Sequence, residues 1–169
     1  GFERARVIDI GAMIGIRVRL SAKGAGKWAT SGGENAKFGV STAELVAASD
    51  LLKKEGLAHT LKLVHFHVGS QVPDIGTIKR AVREAARFYA KLCKMGHELG
   101  YLDCGGGLGV DYEGTRSRGA CSTNYRLEQF AHTLIQPLQE ACAAHGLPEP
   151  RMITEAGRAM TAHHAMMVV

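Results

Sequence analysis

The sequence predicts an α/β fold, an arc of a (β/α)8 TIM barrel, on three observations. Strand-like apolar runs alternate with amphipathic helical stretches, which requires a parallel sheet with right-handed crossovers. The polar, chemically capable residues gather where each strand ends, as they do at the shared rim of a barrel. The strands are too few to close a barrel, so the chain reads as part of one. Periodicity alone leaves an open, doubly wound sheet as the alternative.

The elements follow in order. Residues 14–20, "IGIRVRL", alternate apolar and basic side chains and read as a strand. The glycine- and lysine-rich stretch 21–39 reads as a long loop. A helix follows: Ser41 and Glu44 form an S-x-x-E capping box, Leu45, Ala48, Leu51 and Leu52 supply its apolar stripe, and Gly56 ends it. "LKLVHFHVGS" (61–70) is a second strand. Residues 77–95 form a second helix with Ile78, Val82, Ala85, Tyr89 and Leu92 on one face and Gly96 past its end. "LGYLDCGGG" (99–107) is a third strand. A third helix over 125–145 carries Leu127, Phe130, Leu134, Leu138 and Ala141, with a kink expected at Pro137. "PRMITEAGR" (150–158) is a fourth strand and "HHAMMVV" (163–169) a fifth.

Composition narrows the function classes. At 169 residues the chain can bury one core, and no run approaches 18 apolar residues, so no membrane partner is expected. The net charge of +5 invites nucleic acid, but the basic pairs Lys53-Lys54 and Lys79-Arg80 sit on solvated helix faces. Aromatics, at 6%, do not interleave with them as a stacking platform would, and nucleic-acid binding is set aside. Cys93, Cys104, Cys121 and Cys142 show neither C-x-x-C nor zinc spacing and read as buried thiols of a reducing compartment, so the expected location is cytoplasmic. The chain starts without methionine or a visible signal peptide and ends on an apolar run, and it reads as cut from something longer.

Three motifs carry chemistry. "CGGGLG" (104–109) ends a strand in glycines, which suits main-chain N–H groups approaching a phosphate; the plainer alternative is a turn serving close packing alone. It is not G-x-G-x-x-G, and no dinucleotide site is read from it. Arg158, at another strand end, could supply a bidentate cation to such a phosphate. His65 and His67 share a strand face; a lone histidine there is more often structural, and with no third ligand nearby a metal is discounted. Glu155 ends a β-branched run with Arg158 three residues on. It is either one half of a local ion pair or a carboxylate that holds a heterocyclic nitrogen protonated, as pyridoxal chemistry needs.

Together "HFHVGSQ", "LDCGGGLGVDYEG" and "TEAGR" resemble the signatures of the fold-type III pyridoxal-phosphate (PLP) decarboxylases, whose barrel is of the alanine racemase-like type. "SAKGAGKW", "GGENAKFGVS" and "GRAMTAHHA" resemble the arginine-decarboxylating branch of that family. The resemblance runs over essentially the whole chain. It implies a partial barrel over residues 1–160 and the start of a C-terminal β-domain over 161–169. It implies that His67 stacks on the cofactor ring, that Glu155 pairs with the ring nitrogen, and that these two are the catalytic residues. Ser70, Gly105, Gly106, Gly107 and Arg158, with Gly157 beside them, would hold the phosphate, and Arg19 would lie near the cofactor. Leu102, Asp103, Cys104, Leu108, Gly109, Val110, Asp111 and Tyr112 would border the substrate. The implied substrate is L-arginine, the implied product agmatine on the route to polyamines, and the implied assembly a homo-oligomer. Mg2+ is a family expectation with no site visible in the sequence. Ala156 stands where ornithine and diaminopimelate decarboxylases often carry proline. No segment matches the family's Schiff-base lysine or the second-subunit cysteine and aspartate, so this chain alone should not turn over. The alternatives are a related decarboxylase acting on diaminopimelate or ornithine, a non-catalytic PLP-binding barrel, and a phosphate-binding barrel without pyridoxal.

Overall fold

The computed structural model describes residues 11–21 and 37–164. Its strands are β1 (Ile14–Arg17), β2 (Leu61–His65), β3 (Tyr101–Asp103) and β4 (Arg151–Ile153). Its helices are α1 (Thr42–Lys54), α2 (Ile75–Lys94), α3 (Leu127–His145) and the short α4 (Gly157–Thr161). The strands form one parallel sheet in the order β1-β2-β3-β4. Every crossover therefore steps the same way. A doubly wound sheet reverses direction at a switch point, so the sequential order marks an arc of a barrel.

The register explains which face is core. Ile16, Val64, Leu102 and Met152 stand side by side across the four strands, and their row packs into the apolar core with the helices. The stripe expected on α2 is fully confirmed: Ile78, Val82, Ala85, Tyr89 and Leu92 are all buried. The capping box at Ser41 and Glu44 forms as expected, each side chain bonded to the other's backbone.

Two stripe positions differ from expectation. Leu51 of α1 and Leu127 of α3 are exposed. Leu127 is the first residue of its helix, beyond the reach of the sheet. In α1 the neighbouring Ser49 is buried instead, and its hydroxyl lies 2.7 Å from Nε2 of buried His97, whose Nδ1 lies 3.0 Å from the Ala58 carbonyl. That pairing lets two polar side chains occupy the core.

The strands are shorter than their apolar runs, because the residues after His65, Asp103 and Ile153 leave the ladder to build the rim. Helix α3 continues through Pro137. Among the residues expected in a fifth strand, His163 and His164 lie in a 3-10 turn, Ala162–His164, and the rest fall outside the described residues. Most of the long loop expected over 21–39 also falls outside them. All four cysteines are free thiols; Cys121, expected buried, is exposed in the loop before α3. Among the described residues no helix is long and apolar enough to cross a membrane.

Candidate functional site at the strand ends

One register row carries the chemistry. Arg17 of β1 stands beside His65 of β2, and His65 beside Asp103 of β3. By the two-residue period these side chains leave the sheet on the face opposite the helices. His65 Nδ1 lies 2.9 Å from Asp103 Oδ2 and 3.9 Å from Glu155 Oε1. The third ligand-type group thought absent from the histidines' surroundings is therefore present, brought from two other strand ends. The three donor atoms lie within 4.8 Å of one another. Mg2+ favours a shell of oxygens, several of them water, and this group turns on an imidazole nitrogen. The residues do not fit Mg2+.

The glycine turn ties this cluster to His67. The Gly105 N–H donates to Asp103 Oδ1 at 2.9 Å, and the Glu155 N–H donates to the Gly105 carbonyl at 2.8 Å. The Gly106 N–H donates to His67 Nδ1 at 3.2 Å. That nitrogen is therefore an acceptor, and His67 is neutral with its proton on Nε2. Burial foremost, and then the Arg17 charge, lower the His67 pKa and favour the same state.

Close packing demands the glycines. Gly105 has φ +62°, and a Cβ there would lie 2.5 Å from the Phe66 carbonyl oxygen. Gly107 has φ +115°, and its Cβ would sit 3.1 Å from the Gly69 carbonyl oxygen. The amides of Gly105 and Gly106 are spent on Asp103 and His67. Among the described residues, only the Gly107 amide of the three has no hydrogen-bond partner. Close packing thus constrains Gly105 and Gly107 alike, and the Gly107 amide is left to donate elsewhere.

Arg158 reaches the same rim from another strand end. From α4 its guanidinium donates to Ser70 Oγ at 3.1 Å and to the Tyr112 hydroxyl at 3.3 Å. Ser70 precedes Gln71, a non-glycine residue with φ +51°. Gln71 is clamped twice to Val110: its side-chain amide donates to the Val110 carbonyl at 2.7 Å and its Oε1 accepts the Val110 N–H at 2.9 Å. Such strained conformations persist where surrounding bonds over-determine them. The clamp holds the 108–112 loop beside Ser70.

The remaining expected residues sort clearly. Leu108, Gly109, Val110 and Asp111 line a cleft of about 640 Å3 that Arg116, Arg126 and His163 also border. The Ser122 hydroxyl, foremost, and the Arg116 amide bond the Asp111 carboxylate and lower its pKa. Leu102 and Cys104 do not border that cleft; both pack in the core, and burial pushes the Cys104 thiol up to about 12. Asp103 is engaged by His65 and Gly105. A Cβ on Gly157 would meet nothing within 4 Å, so no crowding requires glycine there. Arg19 donates to the Gly39 carbonyl at 3.0 Å, beside Ser21 and Ser41. Arg17 stands in register with His65, and its guanidinium lies 5.2 Å from the Phe38 ring centroid.

Sequence reasoning missed Arg17, Gln71 and Tyr125. The Tyr125 hydroxyl donates to the Val72 carbonyl at 2.7 Å and accepts the Gly109 N–H at 3.0 Å, pinning the cleft's edge. Arg17 had a usable signal, since it lies on the strand face that carries Arg19 and aligns with His65 once the register is known. Gln71 ends the quoted "HFHVGSQ".

Comparisons with known proteins show the family and the fold. The family described as "Pyridoxal-dependent decarboxylase, pyridoxal binding domain" matches residues 4–162. A biosynthetic arginine decarboxylase from Xanthomonas campestris pv. campestris is 48% identical over 98% of this chain, which covers 26% of that relative. The chain thus spans about a quarter of the curated relatives it matches. The crystal structure of a biosynthetic arginine decarboxylase from Campylobacter jejuni is similar with a TM-score of 0.73 at 32% identity, over 94% of this chain and 26% of that one. A diaminopimelate decarboxylase from Helicobacter pylori, solved with L-lysine, gives a TM-score of 0.69 at 27% identity over 90% of this chain and 35% of that one.

Proposed function

This chain belongs to the pyridoxal-dependent decarboxylases, as their pyridoxal-binding domain, and on that premise we propose that the intact protein converts L-arginine to agmatine and carbon dioxide. The substrate assignment is supported by 48% identity to biosynthetic arginine decarboxylases. The observation that carries the site is the Arg158 guanidinium converging on two hydroxyls, on the rim where Glu155 offers a half-exposed carboxylate.

The residues fit pyridoxal 5'-phosphate. Bound there, it supplies an electron sink for the pair left when a carboxylate departs as carbon dioxide. Arg158 and Ser70 would hold its phosphate, with the Gly107 amide as a third donor and Tyr112 alongside. The neutral His67 imidazole, its orientation set by the Gly106 amide, would present a flat face to the ring. Glu155 would keep the ring nitrogen protonated, because a carboxylate stabilises a neighbouring cation. Leu108 to Tyr112 would border the substrate. A homo-oligomer, cytoplasmic in location, and a β-domain beginning near residue 161 complete the reading of the intact protein.

Carbon dioxide release from L-arginine, L-ornithine and diaminopimelate tests the substrate: arginine should be preferred, and preference for either other amino acid overturns the assignment. Arg158→Ala tests the anchor. Removing a charge-assisted hydrogen bond costs about 1.5–3 kcal/mol, so PLP affinity should fall roughly 10–150-fold in titrations of the intact protein. Unchanged affinity would remove the phosphate from this place.

A further inference from the structure

We propose that His65, anchored by Asp103, is a positioning residue for Glu155: its imidazole, bonded to the inner carboxylate, stands against the outer one and keeps Glu155 aimed at the ring nitrogen. The inference rests on the functional reading above, in which Glu155 serves the cofactor's ring nitrogen.

The geometry leaves Asp103 and Glu155 little freedom to separate. The N–H of Gly105 binds the Asp103 carboxylate, and its carbonyl accepts the Glu155 N–H. One glycine thus ties the Asp103 carboxylate to the backbone of Glu155. Asp103 and His65 are shielded, with side chains 11% and 16% exposed, whereas Glu155 is 52% exposed and faces the open rim. A carboxylate swung away from the rim could not pair with a ring nitrogen there.

His65 stands beside both acids. Its Nδ1 lies 2.9 Å from Asp103 and 3.9 Å from Glu155, so the imidazole is bonded to the inner acid and stands against the outer one. Arg17, in register beside His65, brings a positive charge to the same row. Asp103 sets the direction of the imidazole as an outer carboxylate orients a ligating histidine.

The test uses intact protein loaded with PLP labelled with 15N in its ring, reading the 15N shift, the PLP dissociation constant and kcat. The side chain of His65→Asn places an amide where Nδ1 stands, His65→Gln places it where Nε2 stands, and His65→Leu has no donor. The wild-type ring nitrogen should be protonated. In the Leu and Gln variants the shift should move toward unprotonated pyridine and kcat should fall about 10–100-fold, the range for lost outer-shell partners. The PLP dissociation constant should change less than about threefold, because Ser70 and Arg158 are untouched. His65→Asn should recover the wild-type shift and most of kcat. If the Leu variant does not fold, the contrast between Asn and Gln decides alone. A wild-type shift in the Gln variant overturns the proposal, as does lost apo-protein stability with an unchanged loaded spectrum. An unprotonated ring nitrogen in the wild type overturns the Glu155 assignment itself, and this proposal with it.

Discussion

Replacing Glu155 with alanine is expected to lower kcat of the intact protein by about 10²–10³-fold while PLP remains bound. The half-exposed carboxylate is held to the fold through its own backbone, whose N–H bonds Gly105 and whose carbonyl accepts the Gly157 N–H. Both bonds survive the substitution. The lost interaction is electrostatic and acts on charge that develops during the reaction, and removing one such group raises a barrier by about 3–4 kcal/mol. Steady-state kinetics, paired with the cofactor absorbance and an apo-protein melting curve, check it. Turnover within tenfold of wild type would remove Glu155 from the chemistry.

Gly105→Ala should damage fold and cofactor binding together. The added Cβ would press on the Phe66 carbonyl oxygen at 2.5 Å and on His67 Nδ1 at 2.9 Å, and the backbone is at φ +62°. The torsion alone costs on the order of 1–3 kcal/mol for a residue with a side chain, and the clash adds to it. Relief requires separating the turn that carries His67 from the one that carries Asp103, which undoes the network around Glu155. Gly157→Ala is the control: its Cβ would meet open space, so stability should change by less than about 0.5 kcal/mol. Denaturant unfolding of the apo-protein and PLP titration separate the two. A Gly105→Ala protein as stable as the control would refute the close approach of these turns.

Local signals were legible wherever the chain's own period or cap decided the outcome. The S-x-x-E box before α1 and the apolar stripe of α2 depend on residues three and four apart, and both formed as read. The alternation of strands and helices, with functional residues at strand ends, was enough for a parallel α/β arc. Residues of the three resembling motifs, His67, Ser70, the glycines, Glu155 and Arg158, meet at one rim.

What only the tertiary structure decided is pairing between segments distant in sequence. A strand's period tells which residues share a face, but not which residue of the next strand stands opposite. That register put Arg17 beside His65, and set Asp103 against His65 across 38 positions. It also turned Leu102 and Cys104 into the core, although both sit in the same motif as the functional glycines. The partners of the glycine amides were equally illegible, because a glycine carries no side chain to declare its neighbour. By itself the sequence determined which residue types reach the strand ends. The packing of one strand end against the next determined which of them touch, since hydrogen bonds and steric contacts are settled by distances that the linear order does not contain.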